Sequence, residues 1–392
     1  MSTEARVAWR HMWQKFFVVR PRRELREFYW FSALFWLSAS LVTIFEPVFF
    51  YKIGIPISKI AIYYALHYIA YLLILPLAGK FTSRFGLERS LTFAAPLLMV
   101  YLLILSAIPM QPTLFWIAWV CLAVFKVFFW PANYAMYARF SQQSDRGTEI
   151  SFGIVIEYLA GIVGPFLGGI IATAFGFPML FVTAAGAALV SSVPLLKTRE
   201  KFTIRSFSYS APWRIIRSAM HRNLVLSTTA WGEHLIMMVF WPMFAFSVLG
   251  SAAVLGSIVS LSVLFVAVFS LVVGELTDHY TERRVARVSL PFMILGHLVR
   301  PLAASPLGVW LVHTFTMTAD AGVRIPFWSR LFGAARRAGS IKYVIAFEMW
   351  LCVIKALTAL GLAVVFATLA PTQAFTVTFV IAALFSLFYF FM

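Results

Sequence analysis

Gly79-Lys80-Phe81-Thr82-Ser83-Arg84-Phe85-Gly86-Leu87-Glu88-Arg89 decides the fold. It is a basic stretch set between two apolar runs, each long enough to cross a bilayer. A second version, Gly274-Glu275-Leu276-Thr277-Asp278-His279-Tyr280-Thr281-Glu282-Arg283-Arg284, stands 195 residues later between two more such runs. The same offset carries Phe45, Pro47 and Phe49 onto Phe240, Pro242 and Phe244, and Pro96 onto Pro291. A register held over more than fifty residues marks a duplicated half rather than a chance motif. Past the next span the offset shortens to 191, and Arg139, Ile150 and Glu157 fall on Arg330, Ile341 and Glu348.

Hydrophobic residues make up 61% of the 392 positions and charged residues 12%, with a mean hydropathy of +0.87. No soluble core of this size buries so much apolar material, so the chain reads as an all-α integral membrane protein. Each half holds six runs of about 20 residues, the length a helix rising about 1.5 Å per residue needs to cross about 30 Å of hydrocarbon. Continuous runs also exclude a β-barrel, which would alternate over about ten residues. Cys121 and Cys352 fall inside spans and read as small apolar packing residues, not as a bridge or a metal site. The net charge of +17 sits in one set of loops, which signals orientation and not nucleic-acid binding.

Residues 1–27 carry Arg6, Arg10, Lys15, Arg20, Arg22, Arg23 and Arg26 with Trp9, Met12, Trp13 and Phe16 at helical spacing between them. This is the pattern of a basic amphipathic helix lying on a membrane surface. The first six spans are expected at 28–51, 57–79, 90–109, 113–138, 150–174 and 178–196. The second six are expected at 223–249, 253–275, 286–304, 306–330, 342–369 and 372–392. Two domains follow, 28–196 and 223–392, joined by a basic connector over 197–222 in which Ser210 and Pro212 are placed to start a short surface helix carrying Trp213, Ile216 and Met220. Lys and Arg crowd alternate loops, so twelve spans with both termini in the cytoplasm satisfy the orientation rule.

Two six-span halves, a basic loop between spans 2 and 3 and its copy between spans 8 and 9 resemble the major facilitator superfamily over the whole chain. Gly79, Arg84, Gly86 and Arg89 fit that family's loop motif, while Ser83 stands where Asp is usual; the second copy keeps Gly274, Asp278 and Arg284 but has His279 and Thr281 at motif positions. Gly164-Pro165-Phe166-Leu167-Gly168-Gly169 resembles the motif of the family's proton antiporters, with Ala160 in place of its upstream glycine. The resemblance implies two six-helix bundles rocking about a midplane site, with the loop residues forming a gate. Arg84, Arg89, Asp278 and Arg284 are its expected gate residues, closing on the carbonyl end of a neighbouring helix. Glycines at these places let helices stop or approach closely, and positive-inside anchoring alone is the rival reading.

A charge left in lipid at the bilayer centre costs at least about 2.5–3.5 kcal/mol, so charges inside spans must face a cavity or one another. Lys126, Glu233, His234, Asp320 and Lys355 are the central ones, and Glu46 lies toward the outer end of span 1. In the resembled architecture spans 1, 4, 7 and 10 line the cavity; Lys126 and Asp320, 194 residues apart, are then expected to face each other. Asp320 and Arg324 have the alternative of pairing along one helix at i, i+4. Glu157 and Glu348 are expected to serve as gate partners of loop arginines, and His67, His297 and Arg300 as packing or interfacial residues. Phe-Phe-Trp-Pro-Ala-Asn at 128–133 and Phe-Trp-Pro at 240–242 add aromatics and bending prolines near the same place.

The resemblance thus implies a monomeric secondary transporter in the cytoplasmic membrane, moving a small organic, amphipathic compound outward in exchange for protons, with no cofactor and no metal. Uptake of a nutrient or anionic metabolite, lipid translocation, and a non-transporting receptor or scaffold remain alternatives. The sequence has no paired His-Glu metal motif, nucleophile elbow or phosphate-binding glycine loop, which argues against an enzyme.

Overall fold

The computed structural model describes residues 23–140, 146–196, 208, 210–338 and 340–392. The expected N-terminal amphipathic helix lies outside these residues up to Arg22, as does most of the connector; the side chain of Asp278 also lies outside the description. Among the described residues, twelve long helical segments run back and forth. They are α1 Arg26–Lys52, α2 Ile57–Phe85, α3 Leu87–Ala107, α4 Pro112–Met136, α5 Val155–Ala174 and α6 Phe177–Leu196, then α7 Ala219–Leu249, α8 Ala252–Thr277, α9 Glu282–Leu302, α10 Pro306–Ala338, α11 Ile341–Thr368 and α12 Pro371–Phe391. Helix is the only open-ended structure lipid tolerates, because it satisfies every backbone N–H and C=O internally. Eleven of the twelve are long and apolar enough to cross a membrane. The exception, α10, is 33 residues long, but His313, Asp320, Arg324 and Arg330 lower its hydropathy.

In the first bundle α1 packs on α5 and α6, and α3 on α4 and α6; in the second α10 packs on α8 and α9. The bundles meet along α2 with α11 and along α5 with α8. These two interfaces are images of each other under the sequence repeat, since α2 corresponds to α8 and α5 to α11. Successive helices alternate in direction, so the basic stretches share one side with the connector.

The duplicated Phe-x-Pro-x-Phe leaves the same mark on both copies. Helix α1 breaks at Thr43–Ile44 just before Pro47, and α7 widens into a π-turn over Ile236–Phe240 just before Pro242. Proline has no N–H for the carbonyl four residues back and its ring presses on it, which weakens the preceding turn. In α7 this falls directly after Glu233 and His234.

Close helix approach is concentrated on α5. A Cβ at Gly164 would strike Ser40, one at Gly168 would strike the Leu41 carbonyl oxygen, and one at Gly169 would lie 2.6 Å from the Ala252 carbonyl oxygen. Gly256 of α8 packs against the Pro165 carbonyl oxygen. The Gly-Pro-Phe-Leu-Gly-Gly run is therefore where α5 seats on α1 on one side and on α8 across the bundle interface.

The connector helix forms as Ala211–Arg217 with Ser210 at its N-cap and Pro212 in its first turn. Its buried face differs from the one expected. Ala211 and Pro212 are buried and Ile215 and Ile216 half-buried, while Trp213 and Met220 point outward, because the helix docks on α11 rather than on lipid alone.

Candidate functional site

Tyr64, Tyr68 and Tyr71 occupy one face of α2 at i, i+4 and i+7, which helical periodicity brings into one row. Each meets a charged group. The Tyr64 hydroxyl donates to Glu46 Oε1 at 2.7 Å, and the Tyr71 hydroxyl to Glu348 Oε2 at 2.7 Å. The ring of Tyr68 has two ammonium groups within cation–π reach, Lys126 Nζ of α4 at 5.6 Å and Lys355 Nζ of α11 at 5.4 Å from its centroid. These lysines belong to opposite bundles. Lys355 Nζ also lies 3.1 Å from His234 Nδ1 and 5.4 Å from the Trp231 ring. An ammonium can only donate, so His234 must accept at Nδ1 and carry its proton on Nε2. Among the described residues, neither lysine has a carboxylate oxygen within 4 Å. Glu46 and Glu348 balance them at longer range, giving two cations and two anions in all.

A second charged group fills the second bundle. Arg324 Nε donates to both carboxylate oxygens of Asp320 at 2.6 Å, and its Nη2 donates to Glu233 Oε2 at 2.9 Å. Glu233 is 1% exposed, Arg324 14% and Asp320 25%, so the bridge runs from the bundle core to more open space. His297 Nε2 lies 3.5 Å from Glu233 Oε1 without the geometry of a hydrogen bond. Arg300 is fully buried with its guanidinium 3.9 Å over Trp241, and it interacts electrostatically with Glu233 and Asp320. Two cations again face two anions.

Trp231 joins the two groups. Its ring holds the Arg324 guanidinium at 4.7 Å and the Lys355 ammonium at 5.4 Å, so both clusters share one π surface. The guanidinium that bridges Glu233 and the Lys355 ammonium thus lie against one and the same side chain.

On the connector side, aromatics close the bundles onto each other. Tyr134 of α4 stacks near Trp328 at 4.9 Å and reaches Phe332 at 6.5 Å and Phe347 at 6.1 Å in the facing bundle. The Tyr158 hydroxyl of α5 pairs with Ser270 of α8 at 2.6 Å. On the opposite side the outer ends of α1 and α7 are in contact, and Ala253 N–H donates to Thr173 Oγ1 at 3.0 Å.

The sequence model of the Major Facilitator Superfamily matches residues 28–347. The chain belongs to the major facilitator superfamily. Solved structures of the same fold include a point mutant of the nucleoside transporter NupG, at 14% identity and TM-score 0.70 over 94% of this chain and 98% of that one. A D-xylose–proton symporter aligns at 15% identity and TM-score 0.64 over 93% of this chain and 96% of that one. The human organic anion transporter MFSD10 aligns at 14% identity and TM-score 0.68 over 95% and 99%. No curated sequence matches the chain. At these identities the likeness shows the fold.

Within that fold the expected residues divide. Glu233, His234, Asp320, Arg324 and Lys355 come together around Trp231, while Lys126 and Glu46 join Lys355 around α2. Lys126 and Asp320 are not paired with each other; both Asp320 oxygens accept from Arg324 one turn away, the i, i+4 alternative. The facing that their 194-residue offset implied occurs eight residues further along, at Tyr134 and Trp328. Glu348 binds Tyr71 instead of a loop arginine. Of the packing and interfacial readings, His67, His297 and Arg300 take the first, since all three are buried. The Arg84 guanidinium rests on Phe85 at 5.4 Å and that of Arg284 on Tyr280 at 5.1 Å, where helix carbonyls were expected as partners. Gly86, at φ +102° and ψ 171°, has a backbone conformation essentially open to glycine alone, whereas Gly274 has open space where a close approach was expected; Gly79 is buried. Arg89 is exposed and Glu157 half-buried. Sequence reasoning passed over Tyr68, Trp231 and Tyr134, although the i, i+4, i+7 tyrosine row in α2 was there to be read.

Proposed function

We propose that this transporter is a proton-coupled carrier of a small organic anion, bound between the two bundles by Lys126 and Lys355 across Tyr68. The observation that carries this reading is two ammonium groups, one from each bundle, on one aromatic ring with no carboxylate at bonding distance. An anion between them would gain two charge-assisted hydrogen bonds, worth about 1.5–3 kcal/mol each where water is excluded. It would also tie the bundles together at the midplane, so that loading favours a closed state and release needs them to part. Trp231, 5.4 Å from Lys355, and Trp130, one helical turn from Lys126 with Trp36 beside it, suit an apolar body on the substrate.

Proton coupling rests on Glu233 and Asp320. Protonating Glu233 removes its bridge to Arg324, which then belongs to Asp320 alone and shifts on the ring of Trp231 that also holds Lys355. The neighbouring folds named for a nucleoside, a sugar with a proton and an organic anion are compatible with such a carrier. The α5 glycines seat α5 on α1 and α8, a packing compatible with efflux and with uptake alike. By the positive-inside rule the connector side and both termini face the cytoplasm.

The test is a proteoliposome experiment: internal pH is followed while pools of organic acids are added under an imposed pH gradient. Substrate-dependent proton movement in wild type, lost in Glu233→Gln and Asp320→Asn, is expected. Movement unchanged in both variants removes these carboxylates from the mechanism.

A further inference from the structure

Away from the bundle interface, α8, α9 and α10 enclose a groove of about 390 Å³ that opens outward on the connector-side half of the second bundle. Its walls are Phe269, Val273, Val288, Phe292 and Phe315, and the outward edges Val288 and Phe292 are 63% and 52% exposed. Its mouth is different. There Arg284 lies 5.1 Å over the ring of Tyr280, in the first turn of α9 beside Arg283 and close to Arg287. Among the described residues no carboxylate oxygen lies within 4 Å of Arg284.

We propose that this groove is a binding site for one anionic phospholipid of the connector-side leaflet, its acyl chain along the groove and its phosphate at Arg284. Apolar walls alone would take any lipid tail. The cation at the mouth, held in place by Tyr280, selects the headgroup, and an exposed arginine at that depth belongs at the headgroup level. From Arg284 to Phe292 the helix rises about 12 Å, so a headgroup at the mouth lays its chain along the full groove. The floor gives the site a consequence. Thr318 and Ala319 directly precede Asp320, and Ser289 packs on Gly322, so an occupying chain wedges α8 and α9 against the helix that carries Asp320 and Arg324.

The experiment is native mass spectrometry of the delipidated protein offered phosphatidylglycerol or phosphatidylcholine with identical chains. Wild type should retain one phosphatidylglycerol in preference to phosphatidylcholine. Arg284→Ala should lower that retention about fivefold, the factor for one basic residue at an anionic surface, and Val288→Trp, which fills the groove, should abolish it. Both positions are exposed, and melting temperatures near wild type will show that the variants are folded. Equal retention of the two lipids, phosphatidylglycerol displaced by millimolar inorganic phosphate, or retention unchanged in both variants would each overturn the assignment.

Discussion

Replacing Arg324 with methionine should unbalance the second bundle in a way that a second substitution partly repairs. In the wild-type structure Glu233 and Asp320 face Arg324 and Arg300, two anions against two cations. Arg324→Met leaves two carboxylates with one cation, and Glu233, 1% exposed, loses its 2.9 Å partner. Breaking a buried pair by removing one member costs about 3–5 kcal/mol, because the remaining charge stays uncompensated. Adding Glu233→Gln restores one anion against one cation and should recover at least half of the loss. Adding Asp320→Asn as well isolates Arg300, so the triple variant should again be less stable than the double. Unfolding in mixed micelles with increasing dodecyl sulfate, followed by far-UV circular dichroism, measures all four proteins. A single variant within about 0.5 kcal/mol of the double, a difference well below one broken buried pair, would refute the charge balance.

Tyr68→Ala should weaken substrate binding up to about 30-fold, the equivalent of about 2 kcal/mol for a desolvated cation–π contact, whereas Tyr68→Phe should stay close to wild type because it keeps the ring; binding of the transported anion measures both. Tyr134→Ala should raise the population open on the connector side about two- to tenfold, since an aromatic pair contributes about 0.5–1.5 kcal/mol, read as faster alkylation of a single cysteine placed nearby. Gly256→Val forces a branched side chain against the Pro165 carbonyl oxygen, and should lower stability by about 1–3 kcal/mol with loss of transport; Gly274→Val, in open space, should do neither.

The repeat carried most of the fold. The offset of 195 placed Pro47 and Pro242 in equivalent positions, and the helix departs from regular α geometry just before each, as a break in α1 and as a π-turn in α7. Twelve spans were likewise legible, α10 included, where hydropathy alone falls short. The pairing of charges was not. Depth along a span says which groups must turn inward, but not which neighbour wins, and Arg324 at one turn from Asp320 pairs with it because i, i+4 side chains on one helix are held close by the helix itself. Trp231 and Tyr68 stayed hidden among 40 Phe, 14 Tyr and 13 Trp, since only the third dimension shows which rings sit beneath a cation. Glycine spacing in α5 announced a close contact without naming α1 and α8 as the partners.

Equilibrium binding to the purified protein in nanodiscs tests the anion site most directly. The organic acid found in the transport screen would be compared with its neutral amide, in wild type, Lys126→Gln, Lys355→Gln and the double variant. The amide and each single variant should bind about 10- to 100-fold more weakly, the range for one charge-assisted hydrogen bond. The double variant should lose less than the sum, because both lysines hold one ligand. An amide that binds as tightly as the acid, or two lysine variants indistinguishable from wild type, would contradict an anion held between the bundles.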